Sequence, residues 1–132
     1  MLDTDTVSFL VRKNPSVIKK LIQHEDDDIC ISAITYAELI YGLEKKGSEK
    51  LFSEVKTIIG KLSLIPFDES QSEIYGKIRA KLEKSGTPLG DMDMLIAAAA
   101  MKTGAILISH NVNHFSKIRG LKVEDWCYSL TI

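Results

Sequence analysis

Short apolar runs and longer helical stripes take turns along this chain. Met1-Leu2 reads as the end of a very short first strand, Ile29-Cys30-Ile31 as a second, and residues 63–67, closing at Pro66, as a third. Residues 105–109 form the clearest strand, and residues 121–124 a last one ahead of a tail that contains Trp126. Between the strands, apolar residues recur at intervals of three and four, the period of a helix with one buried face. Residues 4–11 and 15–22 read as helices broken at Asn14-Pro15, where proline cannot continue a helix. A third helix follows Ile31 and runs through Leu43. Leu51, Val55, Ile58 and Ile59 mark a fourth over residues 48–60, and Ile74, Tyr75, Ile78 and Leu82 a fifth over residues 68–84. Gly86-Thr87-Pro88 ends that helix, and an Ala-rich one follows with Asp93 near its start and Gly104 at its end. Residues 112–118 read as a short helix, and the acidic run 25–28 as a solvated turn. Strands alternating with helices predict an α/β fold with a mostly parallel sheet covered on both faces. Functional sites in such folds gather outside the carboxyl ends of the strands.

No repeat, low-complexity tract or linker divides the 132 residues, which predicts a single domain over 1–132. Hydrophobic residues make up 45% and charged residues 27%, enough to bury one sizeable core and too apolar for disorder. Seventeen basic residues against eighteen acidic ones give a net charge of −1, so no global positive field recruits nucleic acid and any such partner must be held locally. Cys30 and Cys127 have neither metal-ligand spacing nor a small secreted scaffold around them, which predicts reduced thiols in a cytoplasmic protein. No long apolar run suggests a membrane span, and no basic segment leads into an apolar signal region.

The acids carry the candidate chemistry. Asp3 ends the first strand, Glu38 lies within Thr35-Tyr36-Ala37-Glu38-Leu39, and Asp93 opens a helix apolar all round from Met94 to Met101. That helix is expected to be largely buried, so Asp93 is expected to lack solvation by water and to need a cation or donors beside it. Each acid also has a structural explanation. Asp3 precedes a helix and suits an N-cap, Thr35-x-x-Glu38 has the form of a capping box, and Asp91 can cap the Ala-rich helix. Convergence favours chemistry: strand ends and helix starts present these oxygens toward one edge of the sheet, and hard ions such as Mg²⁺ or Mn²⁺ prefer oxygen ligands. Without a cation, such a cluster would repel itself and raise its pKa values. Asp5 is a weaker candidate, and Ser109 and Asn111 follow a strand directly, where Asn111 can add a neutral oxygen. His110 and His114 are four apart, but no Cys or Glu completes a zinc pattern, and surface or capping roles account for them. Lys77, Arg79, Lys81 and Lys84 form the densest basic stretch, a solvated helix face that can also reach a phosphate chain. Tyr36, Tyr41 and Trp126 are expected to pack rather than to stack on bases.

Taken in order, these segments resemble the PIN-domain family, and within it the VapC-type toxin ribonucleases of bacterial type II toxin–antitoxin pairs. Met1-Leu-Asp-Thr-Asp5 is similar to the family's opening Leu-Asp-Thr-Asn, and Ile34-Thr-Tyr-Ala-Glu-Leu39 to its second acidic motif. Ile78-Arg-Ala-Lys-Leu82 and the 90–97 segment resemble the region around its third. Ile108-Ser-His-Asn-Val-Asn-His-Phe115 with Gly120-Leu-Lys-Val-Glu-Asp-Trp126 resembles its closing block. The resemblance implies an α/β/α sandwich and a Mg²⁺-dependent site made by Asp3, Glu38 and Asp93, with Asn111 at the fourth position. Asp5 departs from the family's usual Asn, and Asn111 is neutral where some relatives have Asp. Also implied are hydrolysis of RNA, tRNA among the frequent targets, to a 5′-phosphate and a 3′-hydroxyl, a homodimer, and a VapB-like antitoxin over the acidic groove. Arg79 becomes a candidate RNA contact.

Two other readings compete. Asp3-x-Asp5-x-Val7 fits the opening motif of haloacid-dehalogenase-like phosphatases, a reading that leaves Glu38 and the segment after Asp93 unexplained. A non-catalytic module that holds Mg²⁺ and a partner is the second, against which the retention of all three acids argues.

Overall fold

The computed structural model describes residues 1–127. Its strands are short: β1 (Cys30–Ser32), β2 (Ser63–Ile65), β3 (Leu107–Ile108) and β4 (Val123–Glu124). All pairings are parallel, β1 with β2 and β3 with β4, and residues 1–3 join the two ladders. The Leu2 N–H donates to the Cys30 carbonyl at 2.9 Å. On the other side the Asp3 N–H donates to Ile108 at 3.0 Å, and the Ile108 N–H to Met1 at 2.8 Å. The N-terminal segment therefore lies in the middle of the sheet. The strands are shorter than the apolar runs suggest because each turns into a helix or loop after two or three residues.

Alternation along these short strands supplies both faces. Met1, Cys30 and Leu107 enter one apolar cluster, while Leu2, Ile31 and Ile108 enter the other. Side chains that point to opposite faces and are all buried mark a sheet covered on both sides, and complete burial of a Leu or Ile stabilises by about 1.5–3 kcal/mol. The first face is covered by α5 (Glu69–Lys84), α6 (Asp91–Thr103) and α7 (Val112–Phe115). The second is covered by α1 (Thr4–Val11), α2 (Pro15–Gln23), α3 (Ala33–Lys46) and α4 (Glu49–Ile59). This is the expected α/β/α arrangement. In α6, Ala97 to Ala100 are fully buried, and their small side chains let the helix pack closely on α5 and the sheet. Gly104 caps α6 in a left-handed conformation (φ 68°) that favours glycine.

Several boundaries differ from the sequence reading. The short helix α7 stops at Phe115 rather than running to residue 118, because the buried Phe115 and Ile118 anchor a tight turn in which the Ile118 N–H bonds to Phe115. Tyr41 is exposed on α3 rather than packed, whereas Trp126 is buried and stacks on His24. Among the described residues no helix is long and apolar enough to cross a membrane.

Candidate active site

Asp3 forms the last rung of its strand and the cap of α1. Its Oδ1 accepts the Thr6 N–H at 2.8 Å, so the capping role suggested by the sequence is real. The residue is only 5% exposed. Burial pushes its pKa above the ordinary 3.8, partly opposed by hydrogen bonds from Ser109 and Thr6, and the negative charge of Asp5 adds to the rise. Asp5 itself is exposed.

Glu38 is not the carboxylate of a capping box. Ser32 caps α3 by accepting the Ile34 N–H, which places Thr35 inside the first turn and Glu38 a further turn along. The alternative explanation for this acid therefore fails on position. Its Oε1 instead accepts the Thr4 hydroxyl at 2.5 Å, and Thr4 also lies 3.4 Å from the buried Thr35 hydroxyl. Thr4 follows Asp3 directly, so it ties Glu38 to the strand end that carries Asp3.

Asp93 stands in the first turn of α6, where the helix dipole favours a negative charge. Contrary to expectation its side chain is 41% exposed: the burial of α6 begins at Met94 and the helix start meets solvent. The expected donor is present, as Oδ2 lies 2.8 Å from His114 Nε2. Asp91 does not cap this helix. Gly90 occupies the cap position, and Asp91 pairs with Arg79 at 3.3 Å. Arg79 is also bonded to Glu83 and Tyr75, which, with Asp91, raise its pKa and engage its Nε and Nη1 in the free protein. His110 and His114 do not share a face, because His110 precedes α7 and bonds Asp125 at 3.0 Å.

A chain of contacts runs along this edge of the sheet. Glu38 is held by Thr4, which adjoins Asp3; Ser109 lies beside Asp3 and lowers its pKa; the Ser109 Oγ accepts the Asn111 N–H at 3.0 Å. Asn111 then precedes α7, whose His114 holds Asp93. Sequence reasoning missed Thr4 and the pairing of His114. Adjacency of Thr4 to Asp3 was the only available hint of the first, and nothing local signalled the second.

The donors are oxygen-rich and suit a hard divalent cation, and the buried Asp3 is an acid whose ionised form gains from a positive neighbour. The arrangement is nevertheless open. Among the described residues, no three Asp, Glu, His or Cys side chains stand close enough to hold a metal ion. Each acid meets a hydroxyl, backbone or imidazole donor instead: Asp3 the Thr6 N–H, Glu38 the Thr4 hydroxyl and Asp93 the His114 ring.

Beside Glu38 and Asp5, a groove of about 450 Å³ opens between α1, α3 and α4, with apolar walls from Val11, Leu39, Leu43 and Val55 and cations at Arg12 and Lys46.

The sequence matches the PIN domain family over residues 1–121, a span that includes Glu38 and the 90–97 segment. It is 37% identical over 128 residues to the tRNA(fMet)-specific endonuclease VapC of Salmonella typhimurium, covering 96% of this chain and 97% of that protein. Identity to the ribonuclease VapC2 of Haemophilus influenzae is 32% over 127 residues, covering 96% of each. The fold superposes on a chain of VapBC2 from Rickettsia felis, crystallised with a promoter DNA fragment, with a TM-score of 0.90 at 33% identity, covering 96% of this chain and 97% of that one. For DNA-bound VapBC from Salmonella typhimurium the TM-score is 0.89 at 36% identity, again over 96% and 97%. A parallel sheet with Asp3 at its central strand end, Glu38 and Asp93 on flanking helices, and near full-length likeness to these proteins place the chain in the PIN-domain family, in its VapC branch.

Proposed function

We propose that the chain is the toxin of a type II toxin–antitoxin pair and acts as an endoribonuclease, hydrolysing RNA phosphodiester bonds with Mg²⁺ or Mn²⁺. The observation that carries this reading is the hold on each acid: Thr4 ties Glu38 to the strand end bearing Asp3, Thr6 fixes Asp3, and His114, on the helix that follows Ser109 and Asn111, holds Asp93. Family membership supports it, and divalent-metal dependence is general among PIN-domain ribonucleases. The match over residues 1–121 supports treating 1–132 as one PIN-like domain. Two unbridged cysteines suit a cytoplasmic protein.

Asp3, Asp93 and Glu38 are the residues that would hold the cation, with Asn111 at the fourth position. When bound, a divalent ion there supplies Lewis acidity to the phosphate and lowers the pKa of water. Asp3 is fixed by the Thr6 N–H and Ser109, so its carboxylate needs little reorganisation to bind. Glu38, held at one oxygen by Thr4, has the other available to orient water or accept its proton. His114 positions Asp93. The side chain of Asn111 makes no capping bond to α7, which leaves its amide for the site.

The Salmonella typhimurium relative is named as a tRNA(fMet)-specific endonuclease, so tRNA is the first substrate to test. Solved relatives are VapBC complexes, which supports a VapB-like antitoxin as partner. The groove beside Glu38, apolar with charged edges, is where a segment of it would lie. A homodimer is the assembly expected of the family. The test is mapping of RNA ends after brief induction of wild type and Asp93→Asn, joined to cleavage of tRNA by the purified protein with EDTA and metal add-back. New 5′-phosphate ends with the wild type alone, lost in EDTA and restored by Mg²⁺ or Mn²⁺, are expected; cleavage undiminished by EDTA would refute the mechanism.

A further inference from the structure

We propose that a second groove, formed by α5, the end of α6 and the segment after α7, binds the phosphate backbone of the RNA at a distance from the bond that is cut. The proposal rests on the ribonuclease reading above. The groove has a volume of about 560 Å³. Ile78, Leu82 and Ile118 are buried along it, while Lys77, Lys81, Lys117 and Arg119 are exposed. No aspartate or glutamate lines it, and none of these four cations forms an ion pair among the described residues.

This concentration is unusual for the chain as a whole, whose net charge is −1. The basic stretch of α5 is in fact sorted by its partners. Arg79 is occupied by Glu83, Tyr75 and Asp91, whereas Lys77 and Lys81, one helical turn and roughly 6 Å apart, are left to the groove. From the other side the segment after α7 brings Lys117 and Arg119. The cations are thus gathered from residues distant in sequence into one local positive field, the kind of footprint a polyanion needs.

The lining also selects among polyanions. Apolar floors suit lysine stems, which lie along them while the ammonium heads stay at the water-facing rim. Ser85 and Thr87 add hydroxyl donors of the kind that contact phosphate oxygens. No Phe, Trp, Tyr or His lines the groove, so bases have no stacking platform and the contact reads the backbone rather than the sequence. Lys117 follows by three residues the His114 that touches Asp93, so the α7 segment links that candidate catalytic acid to the groove. An RNA cut beside Asp93 can continue into it.

The experiment compares the full-length protein with a K77Q/K81Q/K117Q/R119Q variant and a charge-matched control, K19Q/K45Q/K50Q/K61Q, taken from other faces. Binding of a fluorescein-labelled tRNA transcript is followed by anisotropy across salt concentrations, each protein carrying Asp93→Asn to suppress cleavage, and cleavage kinetics are measured without that substitution. Each phosphate contact contributes about 0.7 to the slope of log Kd against log salt, so losing four flattens the slope by up to about 3. The groove variant is expected to bind at least about ten-fold more weakly near 0.1 M salt and to raise KM at unchanged kcat, while the control keeps the wild-type slope to within one contact. Equal slopes for the two variants, with RNA still cleaved by the wild type, would overturn the groove and leave the ribonuclease reading standing. A variant that changes oligomeric mass in light scattering, or loses a co-expressed antitoxin, at unchanged RNA slope would overturn it in favour of a protein occupant. A wild-type chain that neither binds nor cuts RNA would remove the reading on which the groove depends.

Discussion

Thr4 offers the sharpest test of how the acids are positioned. Replacing it with valine keeps the β-branched shape at the start of α1 and removes only the hydroxyl that donates to Glu38 at 2.5 Å. A hydrogen bond to a charged group contributes about 1.5–3 kcal/mol, and each 1.36 kcal/mol is a factor of ten in rate. If that bond sets the orientation in which Glu38 works, Thr4→Val lowers kcat by roughly 10- to 150-fold. Glu38 is half-buried, so water can replace the lost donor in the resting protein, and the melting temperature should fall by less than about 5 °C. KM should stay within about three-fold, since Thr4 is a positioning residue for Glu38 rather than a contact to RNA. Thr4→Ser restores the hydroxyl and should recover activity to within about three-fold of wild type. The assay is steady-state tRNA cleavage at fixed Mg²⁺, beside thermal melts of all three proteins. Wild-type kcat in Thr4→Val, or a serine variant as slow as the valine one, would refute the reasoning.

Other outcomes follow from the same contacts. Burial raises the Asp3 pKa above 3.8, so the native state holds that proton more tightly than the unfolded chain, and the cost of ionised Asp3 is present above the raised pKa and vanishes below 3.8. Asp3→Asn should therefore melt higher than wild type at pH 7, with the difference closing as pH falls toward 3.8; a difference that widened in acid would contradict the burial argument. Asp93→Asn should abolish cleavage while moving stability by no more than about 1 kcal/mol, because the pair it breaks with His114 is partly exposed and screened. The sequence reading, in which the clustered acids repel one another, would have this substitution leave the fold intact or somewhat stabilised. With Asp93 turned to His114, a gain on removing a charge belongs to the buried Asp3 instead, where desolvation is the main cost, and urea unfolding of both variants distinguishes the two. Ala98→Leu, at a fully buried position on α6, should cost about 1–3 kcal/mol by overpacking; an unchanged urea midpoint would show slack the packing does not suggest.

Short apolar runs alternating with helical stripes made a parallel sheet covered on both faces legible, because the run length and period of apolar positions are local properties; Met1, Cys30 and Leu107 duly enter one cluster and Leu2, Ile31 and Ile108 the other. The helical stripes were legible for the same reason, as were the three acids, since strand ends and helix starts are marked by nearby residues. Tertiary structure alone decided what those acids touch. Thr4 meets Glu38 across 34 positions and His114 meets Asp93 across 21, distances at which no local pattern names a partner. The placement of residues 1–3 between β1 and β3, the pairing that engages Arg79, and the solvent exposure of Asp93 likewise depend on which elements become neighbours. The capping pattern at Thr35 misled because Ser32, three residues earlier, could also cap the helix, and the strand pairing of Cys30–Ser32 decided where extended backbone ended. Local sequence specifies which face of each element is apolar; the packing of those faces against one another sets which polar groups meet at the edge.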